Sequence, residues 1–140
     1  MSGTWFRTCP GGSCYEGVCM ERINGIGGVF IRARDPVALA AWYAEHLGLD
    51  IESWNGAVLR SSDGEYTIWS PFPADTTYFG RPDQQAMVNY RVADLDAMVA
   101  QLRAAGIEVD EPQETEQGRF TWATDPEGNR FELWQPPPGD

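Results

Sequence analysis

Asp125-Pro-Glu-Gly-Asn-Arg-Phe-Glu-Leu-Trp134 lies near the end of the chain, and a shorter likeness, Asp63-Gly-Glu-Tyr-Thr-Ile-Trp69, lies in its first half. Each sets a Gly-containing turn before a run that ends in Trp, as a tight turn feeding a strand does. Outward from these segments the chain repeats itself. Arg32-Ala-Arg-Asp35 is matched by Arg91-Val-Ala-Asp94, an offset of 91 − 32 = 59. A helix-like stretch follows each Asp, 36–47 and 95–105, and each stops at Gly plus an apolar residue, Gly48-Leu49 and Gly106-Ile107. Pairing Trp69 with Trp134 gives 134 − 69 = 65, so about six extra residues are expected in the second copy's middle loop, around 112–118.

Each copy reads as strand, helix, then three strands. Alternation and turn residues place strands at 26–33, 51–54, 57–60 and 66–70, then at 86–92, 107–110, 119–124 and 130–135. Asp35 and Asp94 stand where helix N-caps belong, with Pro36 at the first helical position. Leu39, Trp42, Tyr43 and Leu47 form one helical stripe, and Leu95, Met98, Val99 and Leu102 form another.

Composition removes several chemistries. All ten basic residues of the 140 are Arg, so a Schiff-base lysine and a P-loop lysine are excluded. The single histidine, His46, rules out a multi-histidine metal site within one chain, and a Ser-His-Asp triad would have to pass through it. A net charge of −11 disfavours nucleic acid as a partner. The longest apolar run, 37–44, is too short to cross a membrane, and 17 aromatics support a packed core. Residues 1–19 hold all three cysteines, Cys9, Cys14 and Cys19, at a spacing that matches no zinc knuckle. They are expected to be a disordered extension before a domain at 20–140, with units at about 22–73 and 84–136. A body without cysteine suits a reducing cytoplasm.

The order of elements, the stretch Ile23-Asn-Gly25 … Arg32-Ala-Arg-Asp-Pro36 … Glu45-His-Leu-Gly-Leu49, and the closing Asp125–Trp134 segment resemble the glyoxalase/bleomycin-resistance, or vicinal oxygen chelate, superfamily over 22–136. The resemblance implies an α+β fold in which two βαβββ repeats form a cupped mixed sheet with helices on the convex side. It also implies a ligand held on the concave face and a homodimer.

Alternation selects that face. Gly28, Phe30 and Arg32 share one side of the first strand; Met87, Asn89 and Arg91 share the matching side of its counterpart. Thr67 and Trp69 are assigned to the same face, with Arg130, Glu132 and Trp134 in the second copy and Trp122 beside them. The expected ligand-binding set is therefore Phe30, Arg32, Thr67, Trp69, Met87, Asn89, Arg91, Trp122, Arg130, Glu132 and Trp134. Family enzymes hold a divalent metal at four positions that the resemblance carries onto Gly28, Thr67, Met87 and Glu132. Only Glu132 is a good donor, so no metal or other cofactor is expected. Glu132 is the candidate general base or ligand anchor; the alternative is an acid that pairs with Arg130, Arg32 or Arg91. His46, at the end of the first helix, is expected to serve the helix dipole.

Two functions follow. The first is a bleomycin-resistance-like protein that binds a planar or cationic small molecule without metal. The alternative is a lyase, isomerase or dioxygenase relative with non-standard metal ligands including Glu132; a metal-dependent glyoxalase I is disfavoured.

Overall fold

Two aspartates start the helices. The carboxylates of Asp35 and Asp94 accept hydrogen bonds from the backbone N–H groups of Ala38 at 3.0 Å and Ala97 at 3.1 Å. Each satisfies a donor that the first helical turn leaves open. The computed structural model describes residues 6–9, 12–15 and 18–138, with side chains from Met20 onward. Its strands and helices run β1 (Phe6–Cys9), β2 (Gly12–Tyr15), β3 (Val18–Glu21), β4 (Gly25–Ala33), α1 (Pro36–Leu47), β5 (Ala57–Arg60), β6 (Tyr66–Pro73), β7 (Ala86–Arg91), α2 (Leu95–Ala104), β8 (Gln113–Thr115), β9 (Gly118–Thr124) and β10 (Arg130–Gln135). The fold is α+β, with parallel and antiparallel strand pairs.

The chain divides into two units, Ile26–Asn89 and the remainder. In the first, β6 pairs in parallel with β4 and antiparallel with β5, and β7 flanks β4. One face of these strands packs under α1. Ala40, Ala57 and Trp69 are buried there, with Ile31, Tyr43, Leu49 and Ile51 against them. In the second unit, β9 lies between β8 and β10, both antiparallel to it. Val92, Leu95, Met98, Val99 and Leu133 form its core under α2, joined by Tyr90 and Phe131. Gln135 fixes β10 to α2 by accepting the Leu95 N–H at 2.8 Å. Gln101, on α2, bonds both the N–H and the carbonyl of Glu21, at 2.8 and 3.1 Å. Burial, with the charge of Asp94 adding to it, pushes the Glu21 carboxyl above its ordinary pKa.

Four expectations change. Residues 51–54 form no strand. The Glu52 N–H bonds to the Gly56 carbonyl at 2.7 Å and the Asn55 N–H to Glu52 at 2.9 Å, so the segment closes on itself as a turn. Residues 107–110 form no strand either. Asp110 donates to the Trp122 carbonyl, but Arg103 takes the Val109 carbonyl, so no ladder develops. The expected insertion at 112–118 is instead the β8–β9 hairpin, with Thr115 opposite Gly118. At the chain start, β1, β2 and β3 pair as an antiparallel meander where an extension outside the domain was expected. The rest of 1–19 lies outside the described residues. No helix among the described residues is long and apolar enough to cross a membrane.

Candidate functional site

Strand register decides which side chains reach the face opposite the helices. In the parallel pair β4–β6, Gly28 lies beside Ile68 and Val29 beside Trp69. Neighbours in register point the same way. Trp69 therefore lies on the α1 face, and its ring centroid is 4.6 Å from that of Tyr43. Thr67 shares that face, and its hydroxyl donates to the Ile26 carbonyl at 2.8 Å. This corrects the placement of Thr67 and Trp69 on the open face; Ile68, Ser70 and Phe72 occupy it instead.

The cause is a shift of one residue in the repeat. The turns before β6 and β10 match at 128 − 64 = 64, with φ of 91° at Gly64 and 89° at Gly128. In each, the glycine N–H bonds back to the residue three before it, Ser61 or Asp125. The match of Trp69 to Trp134 at 65 is a coincidence of residue type. The residue equivalent to Glu132 is thus Ile68, and the four positions that the resemblance gives to metal ligands hold Gly28, Ile68, Met87 and Glu132. Among the described residues, no group of three or more His, Cys, Asp or Glu side chains is gathered for a metal.

The open face of the first unit is aromatic. A Cβ on Gly28 would stand 2.9 Å from the Phe30 ring, so that ring fills the space beside Gly28. The Phe30 centroid is 5.3 Å from that of Phe72, which stacks on Tyr78 at 5.4 Å. Met87 is fully buried and Asn89 is 2% exposed. Arg32 is committed elsewhere. Its guanidinium donates to the carbonyls of Gln84, Ala74, Thr76 and Arg81 at 3.0, 2.7, 2.8 and 3.0 Å, and lies over the Phe79 ring. A single cation thus gathers the 74–84 connection.

The open face of the second unit holds the polar chemistry. Glu132 is 2% exposed, and its Oε2 accepts a hydrogen bond from Trp122 Nε1 at 2.9 Å. The two residues are opposite each other in the β9–β10 register. Arg130 lies 5.7 Å above the Trp122 ring and pairs with Asp110 at 3.3 Å. Arg91 lies 5.6 Å from the Trp134 ring. Trp134 donates through Nε1 to the Gln117 carbonyl at 2.7 Å, and Phe120 stacks on it at 6.0 Å. Five expected residues, Arg91, Trp122, Arg130, Glu132 and Trp134, are therefore on one face. Phe72 and Phe120 were missed; the signal for Phe120 was its place opposite Trp134 in the hairpin.

The Asp125–Asn129 turn that feeds β10 is structural. Its carboxylate accepts the Asn129 backbone N–H at 2.9 Å, the Asn129 side-chain amide at 3.0 Å and the Glu127 N–H at 2.9 Å. The Asn129 backbone bond, then its side-chain bond, holds the Asp125 pKa below its ordinary value. His46 sits in the last turn of α1, 3.8 Å from Glu45 and against the Trp42 ring.

A family model described as a glyoxalase-like domain matches residues 28–134. Among solved structures, methylmalonyl-CoA epimerase from Mycobacterium tuberculosis is similar with a TM-score of 0.62 at 22% identity, over 83% of this chain and 90% of that one. Methylmalonyl-CoA epimerase from Streptomyces coelicolor, in complex with 2-nitronate-propionyl-CoA, is similar with a TM-score of 0.63 at 20% identity, over 84% and 97%. A structure described as NAD-dependent benzaldehyde dehydrogenase from Legionella pneumophila is similar with a TM-score of 0.56 at 14% identity, over 79% and 98%. At these identities the likeness is one of fold. No curated protein sequence matches the chain.

Proposed function

Since the chain belongs to the glyoxalase-like domain family, we propose that it binds a small planar molecule on the open face around Glu132, without a divalent metal. The observation that carries this reading is the buried Glu132 carboxylate, bonded to the Trp122 indole. Trp122 and Trp134, 7% and 5% exposed, pack beside it under the Arg130 and Arg91 guanidinium groups, and a carboxylate there favours a ligand with a cationic group. The donor set supports the absence of metal. Gly28 and Ile68 offer no donor, Met87 offers a thioether, and Glu132 is the one hard ligand. A single carboxylate holds a divalent ion weakly in water.

Thermal-shift titration with planar cationic aromatics is expected to stabilise the protein, and Glu132→Gln is expected to abolish most of the shift. Metal analysis of protein purified without chelator is expected to find less than one ion per chain. A stoichiometric divalent ion that disappears in Glu132→Gln overturns the metal-free reading; no shift with any planar ligand overturns the binding reading.

A second reading is an isomerase, with Glu132 as the base that removes a proton beside a carbonyl. It draws on the epimerases among the similar structures. Deuterium wash-in at the α-carbon of methylmalonyl-CoA, lost in Glu132→Gln, would favour it.

A further inference from the structure

The α1 face of the first unit carries a groove of about 760 Å³ outside the ends of β4 and β6. Ile31 and Ala33 line its floor, and Leu39, Trp42 and Tyr43 of α1 line one wall. The volume suits a small organic molecule. We propose that this groove binds a planar aromatic carboxylate, with its ring on Trp42 and its carboxylate on Arg34.

Three observations carry the proposal. Trp42 is 52% exposed, an unusual state for an indole that borders a cavity. Its ring is held on the helix side by Tyr43 at 5.5 Å and His46 at 4.9 Å, so little ordering remains to be lost on stacking. The charges at the rim are unequal in availability. The Asp35 carboxylate is engaged as the helix cap, through Ala38 N–H at 3.0 Å. Arg34 is exposed at the rim and makes no ion pair among the described residues. An available guanidinium beside a flat aromatic wall complements a planar anion, by a charge-assisted fork at one end and stacking at the other. The opposite wall is held in place, since Gln85 Nε2 donates to the Arg32 carbonyl at 2.8 Å.

The test is a titration of the full chain with 2-naphthoate and with its neutral analogue 2-naphthamide, followed by the backbone amide signals of Ala38, Leu39 and Gln85. Naphthoate is expected to shift these signals, and naphthamide to bind about tenfold more weakly. Arg34→Gln is expected to bring naphthoate down to the amide's level, and Trp42→Ala to weaken both ligands. Both positions are exposed, so the variants should keep the wild-type melting curve. No shift at millimolar naphthoate overturns the proposal. So does naphthoate binding that survives both variants, or that is lost in Glu132→Gln while surviving Arg34→Gln, which would assign the ligand to the open face.

Discussion

Glu132 and Trp122 face each other across β9 and β10, and the indole N–H is a donor to the buried carboxylate. Trp122→Phe removes that donor while keeping an aromatic ring. Losing a hydrogen bond to a buried carboxylate costs about 1–3 kcal/mol. The expected outcome is a stability lowered by that amount, read as a lower urea midpoint at an unchanged slope; an unchanged midpoint would show that the bond contributes nothing to stability. Arg32 offers the sharper contrast. Its planar fork reaches four carbonyls of the 74–84 connection, and a lysine ammonium has neither the shape nor the reach for all of them. Arg32→Lys is expected to destabilise by about 3 kcal/mol and to speed hydrogen exchange across 74–84; slow exchange in the variant would refute the pinning role. Side-chain chemistry made Glu132 stand out in the sequence. The partners of Arg32 did not, because they are backbone carbonyls more than forty residues away.

At the scale of elements, local signals were reliable where the local chain satisfies itself. The N-cap carboxylates and the apolar stripes gave α1 its observed bounds and α2 to within one residue. Strands depend on a partner, and here the sequence misled. Residues 51–54 and 107–110 have strand composition, yet their polar groups go to a turn and to Arg103. The β8–β9 hairpin turns on Gly118, whose φ is 117° and whose added Cβ would meet the Gln135 carbonyl oxygen at 2.3 Å. Gly118→Ala forces both strain and a backbone clash, so a loss of about 2 kcal/mol or more is expected in thermal or urea unfolding. A variant as stable as the parent would mean that the hairpin end relaxes freely.

The Asp125 turn makes a prediction with a definite sign. Its folded pKa is depressed, so its contribution to stability is present above the ordinary carboxylate value, about 3.9, and is lost as pH falls through the lower folded value. Asp125→Ala is expected to flatten the acid limb of the stability curve below about pH 4. A carboxyl ¹³C titration that puts Asp125 at or above the ordinary value would remove the basis of this expectation.

For the whole molecule, twenty-one acids against ten arginines leave a net charge of −11. Self-repulsion of that size destabilises a compact state and is screened by salt. The melting temperature is expected to rise between 10 and 200 mM NaCl, a range over which the Debye length shrinks from about 30 to about 7 Å; a fall would mean that attractive surface pairs dominate.

The sequence by itself determined the repeated strand–helix–strand order, the helices with their caps, and the family. These features are written in periodicity and residue type, which are local. Only the tertiary structure decided which face each β6 side chain takes. Alternation fixes the period of a strand but leaves its phase to the register with a neighbour, and a shift of one residue moves every side chain to the other face. Pairing Gly28 with Ile68 sent Trp69 beneath α1, and pairing Glu132 with Trp122 gave the carboxylate its donor.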